Sequence, residues 1–147
     1  MSTQDNVAKI SGALQANWSL AIPAKTAILW STTRVDAATF LSSGLSYAVG
    51  CYNPASPTQV DNIACDVWKQ TEHVMIDVYV KVATAQDAAV GSREDIRNEI
   101  YRILNSKTIP INGLLDWYVD RETTKVEGPD LVRLTLQVAC VTFNLST

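Results

Sequence analysis

At 147 residues the chain has the length of one domain able to bury a core without disulfides or a structural metal. It is 47% apolar and 18% charged, with a net charge of −3 and a pI near 5.0. That balance excludes a nucleic-acid grip built on clustered Lys and Arg, and no apolar run approaches the roughly 20 residues of a membrane-spanning helix. The start, Met1-Ser2-Thr3-Gln4-Asp5, lacks the charged and apolar regions of a signal peptide, so the expected compartment is the cytoplasm. The low share of charge favours a subunit of something larger. Cys51, Cys65 and Cys140 are widely spaced and read as small core residues rather than zinc ligands, which would come in close pairs with more than one His.

In chain order, Val7, Ile10, Leu14 and Trp18 make an apolar stripe on a first helix, which Thr3 or Asp5 can cap and which ends before Pro23. From Trp30 to Asn62 the periodicity is mixed. Val35 to Leu41 fits either a helical turn opened by Asp36 or an irregular strand, and Tyr47 to Tyr52 reads as a short strand. Pro54 and Pro57 then keep residues 53–62 out of regular structure, an arm-like loop. Asp61 to Lys69 alternates as a strand, and Gln70-Thr71-Glu72 reads as the turn of a hairpin leading into the next strand. There Val74, Ile76, Val78, Val80 and Val82 alternate with Met75, Asp77, Tyr79 and Lys81, a strand with one buried face. A small-residue connection ends in Gly91, and Ser92 reads as the N-cap of a helix whose Asp95 completes a capping box. Ile96, Ile100, Ile103 and Leu104 turn one face of that helix to a sheet, while Glu94, Asn98 and Arg102 point away.

Ile109 to Gly113 is a turn-rich connection, and Leu115 to Val126 a strand with Trp117, Val119 and Arg121 on one side. After Glu127-Gly128-Pro129-Asp130, a long strand alternates through Val132, Leu134, Leu136, Val138 and Cys140. Its phase then changes: Val141, Phe143 and Leu145 put apolar side chains on the other face, which requires a bulge, a cover or a docked neighbour. The fold class expected is α+β: a mixed, mainly antiparallel sheet of about four to five strands, with the N-terminal and central helices packed on one side of a single domain spanning 1–147.

No constellation for catalysis, cofactor binding or metal binding emerges. His73, the one histidine, sits at the exposed start of a strand and reads as a solvated residue rather than a general base. The acid pairs Asp116 with Asp120 and Glu94 with Asp95 read as solvated faces and caps. No glycine cluster forms a phosphate loop. Trp18 reads as core, whereas Trp30, Trp68 and Trp117 suit either core or interface, since large aromatics anchor subunit contacts as well as interiors. Arg93, Arg97 and Arg102 have Glu94 and Glu99 three or four residues away for local ion pairs. If the helix faces a partner, Arg93 and Arg97 set the register of that contact. The candidate interface residues are therefore Trp30, Trp68, Trp117, Arg93, Arg97, Val141, Phe143 and Leu145.

The element order carries a resemblance. A leading helix, a loop-rich middle, a hairpin ending in Val74-Met75-Ile76-Asp77-Val78-Tyr79-Val80, a helix beginning Arg93-Glu94-Asp95-Ile96-Arg97-Asn98-Glu99-Ile100, and a last hairpin ending in Leu131 to Leu145 resemble the tail terminator or tail-completion (neck) proteins of tailed phages and related viruses. The resemblance implies a non-enzymatic virion protein, made in the host cytoplasm, that forms a hexameric ring on the head-proximal end of the tail tube. Its partners would be further copies of itself, the tail tube protein and the head connector proteins, with DNA passing through an acidic lumen without specific binding. The alternatives are another tail or head-completion subunit, and a small ligand-binding α+β domain with a site near His73, Asp77 and Tyr79.

Overall fold

Two long strands set the fold. β4 (Val67–Lys81) and β6 (Leu131–Leu145), each of 15 residues, pair antiparallel from Val67↔Leu145 to Lys81↔Leu131 without a register shift. The structure is a computed structural model describing residues 3–21, 23–54, 59–64, 67–81, 86–106, 111, 114, 116–128 and 131–145, with side chains described for all of these except 3–5, 59–64, 67–68, 86–92, 128 and 143–145. Because side chains alternate along a strand, one ladder creates two faces. Val74, Ile76, Val78 and Val80 of β4 share the first face with Leu134, Leu136, Val138 and Cys140 of β6, all buried. Each such aliphatic side chain stabilises by about 1.5–3 kcal/mol relative to exposure.

The remaining strands extend this pair into a six-stranded sheet. β1 (Ile28–Ser31) runs parallel to β2 (Tyr47–Tyr52), which pairs antiparallel with Met75 to Val80 of β4. β3 (Gln59–Ala64) takes the same edge of β4 further along, and β5 (Asp116–Gly128) closes the far side against β6. The protein is thus α+β with a mixed, mainly antiparallel sheet. Against the first face pack α1 (Thr3–Asn17), through Val7, Ile10 and Leu14, and α3 (Gln86–Asn105), through Ile96, Ile100, Ile103 and Leu104. The short α2 (Ala37–Ser42) lies on the opposite, open face, where Phe40 meets Ala48, Tyr79 and Leu131. Asp36 opens α2 by accepting from the Thr39 amide at 2.7 Å, so the helical option for this span holds. Gly44, at φ 78°, then turns the chain in the left-handed region that residues with a Cβ avoid.

Several expectations need correction. α3 begins at Gln86, so Ser92 is inside it rather than its N-cap; a lone Gly91 costs a helix only about 1 kcal/mol, and Gln86-Asp87-Ala88-Ala89 are compatible with helix. Gln70-Thr71-Glu72 is mid-strand, not a turn. Its polar character is explained by burial with partners: Glu72 accepts from Asn6 Nδ2 at 2.7 Å and from Gln70 Nε2 at 3.1 Å. β3 instead pairs antiparallel with β4, from Gln59↔Thr71 to Ala64↔Val67, and takes up the last residues of the 53–62 loop. In β5 the register shifts between Val119 and Arg121, so Arg121 pairs with Gln137 and leaves the side of Trp117 and Val119, which Glu122 takes over. The change of phase in β6 involves no bulge against β4; Val141 is buried at 6% exposure on the open face. The Ile109 to Gly113 connection lies outside the described residues except for buried Ile111.

Cys51 and Cys140 are core residues, and burial pushes both thiols up to about 12; Cys65 lies outside the described residues. A clasp joins the two large helices. Glu99 on α3, 5% exposed, accepts from the Ser19 amide and hydroxyl just beyond α1, and from Arg102 Nε at 2.8 Å. Arg102 Nη2 also donates to the Asn17 carbonyl at the end of α1, at 2.7 Å. Burial works to raise the Glu99 pKa, but the bonds from Arg102 and Ser19 outweigh it and hold the group down to about 2.

Replacing Glu99 by Gln keeps the shape and removes the charge, so it lowers stability by about 1.5–3 kcal/mol at neutral pH. The folded pKa lies below the ordinary 4.5, so the wild-type advantage is full above 4.5 and fades as pH falls toward 2. Urea denaturation of both chains across that range checks the sign, and equal stability at neutral pH would show that the clasp contributes nothing.

Candidate functional site

The open face of the sheet carries the polar side chains of β4 and β6 in register. Asp77 stands opposite Thr135, and Tyr79 opposite Arg133, which in turn stands opposite Lys125 of β5. The Thr135 hydroxyl donates to Asp77 Oδ1 at 2.8 Å, and the Tyr52 hydroxyl of β2 lies beside the same carboxylate. Asp77 is wholly buried and its pKa is raised, because burial disfavours the charged form more than Thr135, Arg133, Tyr52 and Arg34 favour it. For Arg133, burial works against the charge, and the Tyr79 hydroxyl, Asp77 and Glu127 outweigh it; its Nε lies 3.0 Å from Glu127 Oε1.

Above these groups opens a cavity of about 290 Å³ between α2 and the sheet, lined by Arg34, Asp36, Tyr79, Lys125, Glu127 and Arg133. The stacking of Phe40 on Tyr79, ring centroids 5.5 Å apart, fixes α2 as its wall. Both lining carboxylates are committed, Asp36 to the α2 cap and Glu127 to Arg133. Arg34 lies over the Tyr52 ring at 5.9 Å, and Lys125 is exposed at the rim. The arrangement offers ionic recognition of an acidic group. Among the described residues no cluster of three or more His, Cys, Asp or Glu is placed to hold a metal.

The expected pocket around His73, Asp77 and Tyr79 is not one site. Only Tyr79 lines the cavity; Asp77 is buried in the sheet face beside it. His73 shares that face, but four residues along a strand is about 13 Å, and there its Nε2 lies 3.3 Å from Asp120 Oδ2. Of the candidate interface residues, Trp30 is half-buried, packs edge-on against Trp18 with centroids 5.4 Å apart, and donates to the Lys25 carbonyl. Trp117 is 6% exposed and belongs to the main core, so little of its surface is left for a partner. Arg97 grips the Glu122 carboxylate through Nε and Nη2 and lies 4.6 Å over the Tyr101 ring, a contact across elements rather than along the helix. Arg93 is half-buried on α3 and Val141 is buried; the side chains of Trp68, Phe143 and Leu145 lie outside the described residues. Arg34, Lys125, Glu127 and Arg133 were not among the expected site residues. Only Arg133 had a signal, as a polar position on a clearly alternating strand.

A sheet with two long helices on one face and a polar, partly enclosed opposite face defines an α+β protein whose candidate site is lined largely by charged side chains. The fold is similar to that of a chain in a solved structure described as "Virion of native gene transfer agent (GTA) particle", with a TM-score of 0.62 and 16% identity over 94% of this chain and 94% of that one. At that identity the likeness is one of fold. No family model and no curated protein matches the sequence.

Because its folded pKa is raised above 3.8, Asp77 holds its proton longer in the folded chain than in the unfolded one, and stability attributable to it falls as pH rises from 3.8 through the raised value. An Asp77→Asn chain lacks this dependence. Denaturation at pH values from below 3.8 to neutrality is expected to show the stability difference moving in the variant's favour as pH rises; a constant difference would contradict the burial of a titrating carboxyl.

Proposed function

We propose that the chain is a non-enzymatic structural subunit of a phage-like virion, of the tail terminator or neck type. The observation that carries the reading is the fold likeness to a virion chain along 94% of both chains, together with an element order that resembles that family. In this role the protein assembles head to tail as a hexameric ring, caps the tail tube and joins it to the head connector. Two features of the molecule support a ring subunit. The terminal strands of the sheet, β1 and β5, have outer edges that no strand among the described residues covers. The net charge of −3 suits a ring through which DNA passes without adhering. Another tail or head-completion subunit shares the support from the fold likeness, and the position of the ring on the particle distinguishes the two.

The test is the mass of the purified protein across a range of concentrations, followed by electron microscopy of the largest species. Closed rings are expected, with added tail tubes capped at one end. A monomer at every concentration, with and without tubes, would overturn the reading.

A further inference from the structure

Among the residues whose side chains are described, all carboxylates but two have a hydrogen-bond or ion-pair partner. The two are Glu94 and Asp95, adjacent and exposed on α3. Glu94 lies near Arg97, but that guanidinium is already gripped by Glu122. On the open face the imbalance is of the opposite sign. The cavity there is bordered by Arg34 and Lys125, both exposed and neither in an ion pair with a described carboxylate, Arg34 acting on buried Asp77 only through space, while its own Asp36 and Glu127 are committed. Within one chain the two charge sets cannot meet, because α3 packs on one face of the sheet and the cavity opens on the other.

We propose that Arg34 and Lys125 receive Glu94 and Asp95 of a second copy of this chain, the open sheet face of one subunit meeting the α3 layer of the next. The charges are complementary in sign, exposed cations to exposed carboxylates, and Arg121 adds a further exposed cation to the same open face. Patches on opposite faces cannot both be satisfied across one two-fold axis, so the contact is heterologous and propagates head to tail, the geometry that closes into rings. The inference rests on the ring reading and names the contact that builds it.

Two doubly reversed chains test it: Arg34→Glu with Lys125→Glu, and Glu94→Arg with Asp95→Arg. All four positions are exposed, and thermal melting is expected to show both variants folded. Each variant alone brings like charges together and raises the concentration needed for assembly by about tenfold or more. An equimolar mixture restores it, because the two variants alternate around an even-numbered ring with every contact again of opposite sign. Reversed chains that assemble as well as wild type, or a mixture as dissociated as its components, would overturn the contact and leave the ring reading standing. A wild-type chain that never assembles would overturn both.

Discussion

The unbroken β4·β6 ladder is the constraint on which the other features depend. Side chains alternate strictly along a strand, so a slip of one residue would bring Asp77, Tyr79, Arg133 and Thr135 under the helices and expose the aliphatic row of Val74 to Val80. The register therefore fixes both the core and the polar face in one step. The apolar stripes of α1 and α3 fit the first face because it is almost wholly aliphatic. The second face, left without a large helix, is covered only locally by α2 through Phe40 and Tyr79.

Departures from regularity place the charges. The shift at Asp120 in β5 lets Trp117 and Val119 stay on the core side while Glu122, rather than Arg121, continues that side toward Arg97 on α3. The bulged residue itself is freed to meet His73. Buried acids sit in two opposite electrostatic settings: Glu99 is surrounded by donors that favour its charge, and Asp77 by a sheet face whose burial disfavours it. One fastens helix to helix, and the other lies beside the cavity on the face left open.

Where a single physical pattern dominated, the structure was legible in the residues. The alternation of Val74 to Val80 and of Val132 to Cys140 named both central strands, and the spacing of Val7, Ile10 and Leu14 named α1, because burial on one face leaves the plainest periodicity. Tertiary partners hid the rest. Gln70-Thr71-Glu72 has the composition of a turn and becomes strand because Asn6, distant in sequence, supplies a partner for Glu72. Gly91-Ser92 has the composition of a helix start and lies inside a helix. A bulge cannot be read from alternation, so the sides of Arg121 and Glu122 were exchanged. The cavity was the least legible part, since Arg34 lies in the stretch of mixed periodicity and Lys125 follows the bulge; only the structure brings them together.

The contact proposed between copies is two-sided, with exposed carboxylates on the helix layer and exposed cations on the open face. A zero-length carbodiimide, which couples an amine to a carboxylate only where they touch, reads it directly when applied to an assembled mixture of isotope-heavy and light copies. The result predicted is a peptide pair joining Lys125 of one copy to Glu94 or Asp95 of another, with heavy–light pairs present. Assembled protein in which Lys125 couples only to other carboxylates, or to none, would contradict it.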